Sequence, residues 1–169
     1  MRNGVKFISK IFKDLPHYFL PYHNPGLALG LALKNSWRAK IMLLENHGLI
    51  VHGDNPEEVL NLNSFVNREV IKFLKSKGVF RKFNVEMSNI NLTNHLFPDS
   101  VVYSQIDFSD LPEEKRLVYY EICSAHNYIL DTIKALGEKP RFIKREDINY
   151  ILNMQKEKYR IAKLNSKND

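Results

Sequence analysis

Apolar positions along the chain switch between strand-like runs and helical spacing, and each switch marks an element. AKIMLL, from Ala39 to Leu44, is a short apolar run of strand length, and LIVHG, from Leu49 to Gly53, is a second. Between them Asn46-His47-Gly48 forms a turn signal, because glycine takes positive φ at no steric cost. The pattern predicts a β-hairpin with His47 at a strand end and His52 in the middle of the return strand. Upstream, NPGLALGLALKNSW, from Asn24 to Trp37, has an asparagine cap, a proline in the first turn, and leucines and alanines at helical spacing. It predicts a short, largely buried helix.

After the hairpin, Asn55 is a cap, Pro56 fits the first helical position and Glu58 completes a capping box. Val59, Leu62, Val66, Val70, Phe73 and Leu74 then share one helical face, and Gly78 ends the element. Phe80 to Leu96 is asparagine-rich and aperiodic, which predicts loop. VVYSQIDF, from Val101 to Phe108, alternates loosely and predicts a strand. Leu111 to Gly137 reads as a long helix with a stripe of Val118, Ile122, Ala125, Ile129, Ile133 and Leu136. A last helix from Arg145 carries Ile148, Ile151, Leu152, Gln155, Tyr159 and Ala162 on its inner side. There is no internal repeat. Two or three strands against four helices leave a sheet edge without a partner, so the chain reads as part of a larger layered domain.

A length of 169 residues with 44% hydrophobic content is ample for one ordinary domain. The basic N-terminus interrupts its apolar residues with lysines and an aspartate, which is not a signal peptide, and no apolar run is long enough to span a bilayer. The expected location is cytoplasmic, with no membrane partner. The single cysteine, Cys123, lies on a helical pattern and reads as a small buried residue. A net charge of +6 is spread over helix faces mixed with glutamates. With no arginine-rich run or RNA-binding aromatic strand, nucleic acid is a minor reading that predicts steeply salt-dependent affinity.

Two blocks, LPYHNPGLALGLAL and IMLLENHGLIVHGDNPEEVL, together resemble the class II aldolase/adducin family, which has P-Y-x-x-P-G-x-x-L before a helix and L-x-N-H-G-x-x-x-x-G before an acidic helix start. LFPDSVVY (Leu96 to Tyr103) and EDINYILNMQKEKYR are similar to C-terminal segments of a sugar-related branch. In order, the blocks run from Leu20 to Arg160. The resemblance implies a three-layer α/β/α fold around a mixed sheet, often in tetramers, present here as an incomplete version: a hairpin plus several helices. Residues 1–169 then form one partial domain, with 111–165 a helical C-terminal extension. It also implies lyase chemistry on sugar phosphates with a divalent metal, usually Zn2+. Three histidines hold that metal, two from an upstream H-x-H and the third from the N-H-G block, which is His47 here. His52 receives no role.

The sequence departs from the family in lacking the glycine-rich phosphate loop, the S-G segment, the catalytic acidic residue and any H-x-H; its histidines are singles at 17, 23, 47, 52, 95 and 126. The resemblance therefore points to the C-terminal portion of a member, inactive without an upstream polypeptide or a further copy that completes the site. One imidazole cannot hold a metal against water, and the spacing of His23 and His52 works against convergence on His47. Without the resemblance, His47 reads as a histidine bonded to a carbonyl. Tyr22 and Tyr159 are candidate proton donors, although packing explains both; Asp99 has the position of a turn or cap residue, and Glu45 adjoins the histidine. The rival to a complemented aldolase is a non-catalytic assembly module of the same fold.

Overall fold

The computed structural model describes residues 1–169 apart from 1–3, 14, 35, 38, 88–91 and 166–169, and omits the side chain of 110. The protein is a mixed α/β chain. It divides into two compact units, one of residues 1–81 with 135–139 and one of 82–134 with 140–169.

The first unit contains α1 (Gly4–Ile11), β1 (His17–Leu20), α2 (Leu27–Lys34), β2 (Ile41–Leu44), β3 (Gly48–Val51) and α3 (Pro56–Ser76). Its sheet has three strands in the order β1-β2-β3. β1 runs parallel to β2, which requires the crossover that α2 occupies, and β2 returns as β3 antiparallel. The hairpin is as predicted; α1 and β1 were not.

Register decides the packing. Ile41 pairs with Val51 and Leu43 with Leu49, so these four side chains share one face. On that face they join Phe12 beyond α1 and Val66 of α3, with Ile8, Leu62, Phe65 and Val70 around them. Met42 points the other way and is fully buried as well. Both faces of β2 are therefore covered, which explains why its sequence is apolar without alternation.

α3 starts as read, with one shift. The Asn55 side chain accepts from the Glu58 amide at 2.9 Å, but the Glu58 carboxylate reaches back to the Asp54 amide at 2.8 Å, not to Asn55. That reach needs Gly53, where an added Cβ would lie 2.7 Å from Glu58 Oε2. The same carboxylate pairs with Lys40 at the start of β2 and so ties strand to helix. The ion pair lowers the pKa of Glu58 and raises that of Lys40.

The second unit holds α4 (Pro98–Tyr103), a 3-10 turn (Phe108–Asp110), most of α5 (Glu113–Ala135), α6 (Arg145–Asn153) and α7 (Gln155–Asn165). Three expectations are corrected here. The strand expected over Val101 to Phe108 is instead the end of α4 followed by turns. Pro98 starts that helix, Ser100 Oγ bonds the Phe97 carbonyl at 2.6 Å, and Val101, Val102 and Tyr103 are all buried. Consecutive burial suits a helix enclosed on several sides better than a half-exposed strand.

On α5 the inner positions are Tyr119, Cys123, Ser124 and His126, whereas Val118 and Ile129 are 42% and 39% exposed. The face is rotated because two irregular segments dock through polar bonds. The Glu86 amide donates to Ser124 Oγ at 2.8 Å, and the His126 ring bonds the Asn94 carbonyl. The last helix is two helices, broken at Met154, whose ψ of 129° is extended. Tyr159 consequently leaves the inner stripe and is 69% exposed. α7 is held to α4 by Arg160, which bonds Asp99 at 2.8 Å and lies 5.2 Å over the Tyr103 ring.

The region 80–96 carries no helix or strand among its described residues, and 88–91 lie outside them. Among the described residues no helix is long and apolar enough to cross a membrane. Cys123 is buried, as expected.

Replacing Ile41 with alanine should cost about 2–5 kcal/mol, because β2 cannot collapse onto the void from either side. Asn55→Ala should cost about 1 kcal/mol through the lost cap. Urea unfolding of both variants checks the order, and equal losses would mean that β2 is not the packing centre.

Candidate functional site at the hairpin turn

The turn that joins β2 to β3 is built by backbone geometry before any chemistry enters. Leu44 pairs with Gly48, leaving Glu45, Asn46 and His47 in the loop. Asn46 has φ of 58° and Gly48 has φ of 128°, conformations that asparagine and glycine supply most readily. The His47 amide bonds the Leu44 carbonyl at 3.2 Å, which fixes the direction of the histidine Cα–Cβ bond.

Beside it, the segment after β1 comes close. The Glu45 amide bonds the Leu20 carbonyl at 2.9 Å, and Glu45 Oε2 accepts from the Tyr22 amide at 3.0 Å. The Tyr22 ring thereby lies 5.5 Å from the His47 ring, tilted by 34°. Glu45 is thus a clamp between two loops, and Tyr22 is the wall of the histidine pocket.

His47 itself is half-buried, yet both ring nitrogens are shielded from solvent and neither has a hydrogen-bond partner. Burial pushes the His47 pKa below its ordinary value of 6.5, and hydrogen bonding to the Glu45 backbone acts in the opposite sense. A neutral imidazole with both nitrogens uncommitted is the protonation state that a metal ligand requires.

The rest of a ligand set is not supplied by these residues. Among the described residues no group of three or more His, Cys, Asp and Glu side chains is placed to hold a metal. His52 lies beyond the end of β3, not in its middle, at the opposite end of the hairpin from His47. Its amide bonds the Lys40 carbonyl at 3.1 Å, its Nε2 contacts the Ala39 carbonyl at 3.1 Å, and its ring stacks on Trp37 at 4.6 Å and 5°. A Zn2+ ion therefore does not fit the donors described, since His47 offers one ligand where a site needs three. Tyr159 belongs to the other unit and is exposed.

The second unit contains two histidines whose environment the sequence did not reveal. His95 and His126 are 7% and 5% exposed, and the Nδ1 atom of each is buried without a partner. The His95 backbone carbonyl accepts from the Ile143 amide at 2.8 Å, so the ring stands in a loop pinned to the chain ahead of α6. Burial lowers the His95 pKa, and the neighbouring His126 lowers it further. On the same helix as His126, the Tyr119 phenol is pushed up to about 12, mainly by burial and then by Cys123. The only sequence signal was position: His126 follows Cys123 by three residues on one helix.

No protein-family model matches the chain, and neither a curated protein nor a solved structure matches it. The site therefore rests on its own geometry.

A lowered His95 pKa means that folding favours the neutral ring. Its contribution to stability is complete above pH 6.5, the ordinary value, and is lost as pH falls through the folded pKa. Unfolding free energy should drop on acidification from pH 6.5 down to the folded pKa by at most about 1.4 kcal/mol per pH unit from this residue. His95→Leu should flatten the profile, and denaturant titrations at several pH values will show whether it does.

Proposed function

We propose that this chain is a class II aldolase/adducin-type protein whose hairpin carries one position, His47, of a divalent-metal site completed by another polypeptide segment. One observation supports the reading above the others: an imidazole held neutral, walled by Tyr22, with both nitrogens buried and uncommitted. A buried polar atom without a partner is costly, which makes this ring the feature to test. The three-layer α/β/α arrangement belongs to the same proposal, and the burial of β2 on both faces supports it. Completed, such a site would belong to a lyase acting on a sugar phosphate. Alone, the chain is inactive, and no reaction step is assigned to its residues.

A second reading, a non-catalytic assembly module of the same fold, is favoured by the absence of any H-x-H from the sequence. The two readings differ at His47.

The purified chain should retain Zn2+ far below one ion per chain after dialysis, while Zn2+ titration should shift the His47 ring resonances in the millimolar range. His47→Ala should abolish that response. Near-stoichiometric zinc that vanishes with His47 would overturn the need for a second polypeptide. No response of His47 to Zn2+ would overturn the ligand assignment and leave the assembly reading.

A further inference from the structure

The outer face of α2, a helix expected to be buried and left with no buried residue, is almost without charge and selects no partner. The end of α3 is different. Gly78, with φ of 68°, closes that helix: its amide bonds the Lys75 carbonyl and the Val79 amide bonds the Leu74 carbonyl, each at 3.0 Å. The chain therefore turns back, and the Phe80 ring comes to lie 5.2 Å from the Lys75 ammonium above it. Just past the last turn Lys77 Nζ stands 5.8 Å over the Phe73 ring, and that ring meets Phe7 of α1 edge-on at 5.2 Å. The start of α1, with Val5 and Lys6 exposed, is thus packed beside the end of α3.

We propose that the end of α3 and the start of α1 form a docking surface for an anionic lipid bilayer, with Lys6, Lys75 and Lys77 at the headgroups and Val5, Ile71 and Phe80 entering the interfacial layer. Charge complementarity selects an anionic partner. From Val70 to Val85 the sequence holds five lysines and arginines and no carboxylate, and from Gly4 to Lys13 it holds three lysines and none. The whole chain has 25 cations against 19 acids, so the fold gathers here an excess that the remainder does not share. Glu69, the last carboxylate before the first stretch, is taken by Lys72 at 2.7 Å. The dipole of α3 accounts for a cation in its last turn, but not for Val5, Ile71 and Phe80 standing 49%, 37% and 38% exposed around the lysines.

Cations interleaved with apolar side chains are what the boundary between headgroups and acyl chains accepts. A nucleic acid would instead need open ring faces on which bases stack. Lys75 already covers a face of Phe80, Phe73 is engaged by Lys77 and Phe7, and the other exposed apolar residues, Val5 and Ile71, have no ring to offer. The three cations are lysines, compact charges on flexible stems. They suit a diffuse field of headgroups better than the bidentate grip on a single phosphate that arginine makes. Docking of this kind stays at the membrane surface and needs no spanning helix. The proposal is independent of His47 and holds whichever reading of that residue is right.

Cosedimentation of the full chain with vesicles should show binding to phosphatidylcholine mixed with phosphatidylserine, none to phosphatidylcholine alone, and release as salt rises. Lys75→Gln combined with Lys77→Gln should weaken the partition about fivefold for each lysine removed. Phe80→Ser, which alters no charge, should weaken it as well. Lys156→Gln combined with Lys158→Gln removes the same charge from exposed positions of α7 and should leave binding almost unchanged. Circular dichroism and the thermal midpoint confirm that each variant folds. No binding to the phosphatidylserine vesicles at low salt would overturn the proposal. So would an equal loss from both lysine pairs, which would mean that net charge alone binds. A single-stranded RNA oligonucleotide that is held where vesicles are not, and is released by the Lys75 and Lys77 substitutions, would overturn it in favour of a nucleic-acid surface.

Discussion

The burial of β2 on both faces is the constraint on which the first unit depends. Ile41 fits against Phe12 and Val66, and Met42, one residue on, is enclosed on the other side. A slip of one residue in the β2–β3 register would exchange the two faces, sending Leu43 and Leu49 away from α1 and α3. The turn at 45–47 and the Lys40–Glu58 ion pair lie at opposite ends of the hairpin and hold that register from both sides. Glu45 and His47 therefore sit where strand packing places the turn, and Glu45 in turn draws in Tyr22.

Histidine is used in several ways within this chain. His52 is satisfied: it contacts a backbone carbonyl and supports an indole. His95 and His126 are enclosed with one nitrogen each unserved, and His47 with two. Burial works against charge in a low-dielectric interior, so His47 and His95 favour the neutral ring. Electrostatic stabilisation in this chain is instead carried by surface pairs such as Lys40–Glu58 and Arg160–Asp99.

The elements that could be read from sequence were those with local signals. Asn55-Pro56 with Glu58 marked the start of α3 because caps act within one turn, and Asn46 with Gly48 marked the hairpin because positive φ belongs to those residue types. β1 escaped notice because HYFL is short and its parallel pairing is made through a partner more than twenty residues away. The α5 stripe was displaced because tertiary bonds to Glu86 and Asn94 select polar positions, which a hydrophobic period does not register. For the site, sequence placed His47 at a strand end next to glycine. It could not show that the ring nitrogens would be buried and unserved, since that depends on Tyr22 being drawn in by Glu45.

The stack of Trp37 on His52 has a practical consequence. Trp37 is the only tryptophan in the chain and belongs to the first unit, whereas the second contains tyrosines but no indole. Its ring is half exposed and rests on an imidazole fixed at the open end of the hairpin. Indole emission is therefore a private optical channel to one half of the molecule. It reports the loosening of the β2–β3 base directly, and compared with tyrosine signals it tells whether the two compact units melt together or in sequence.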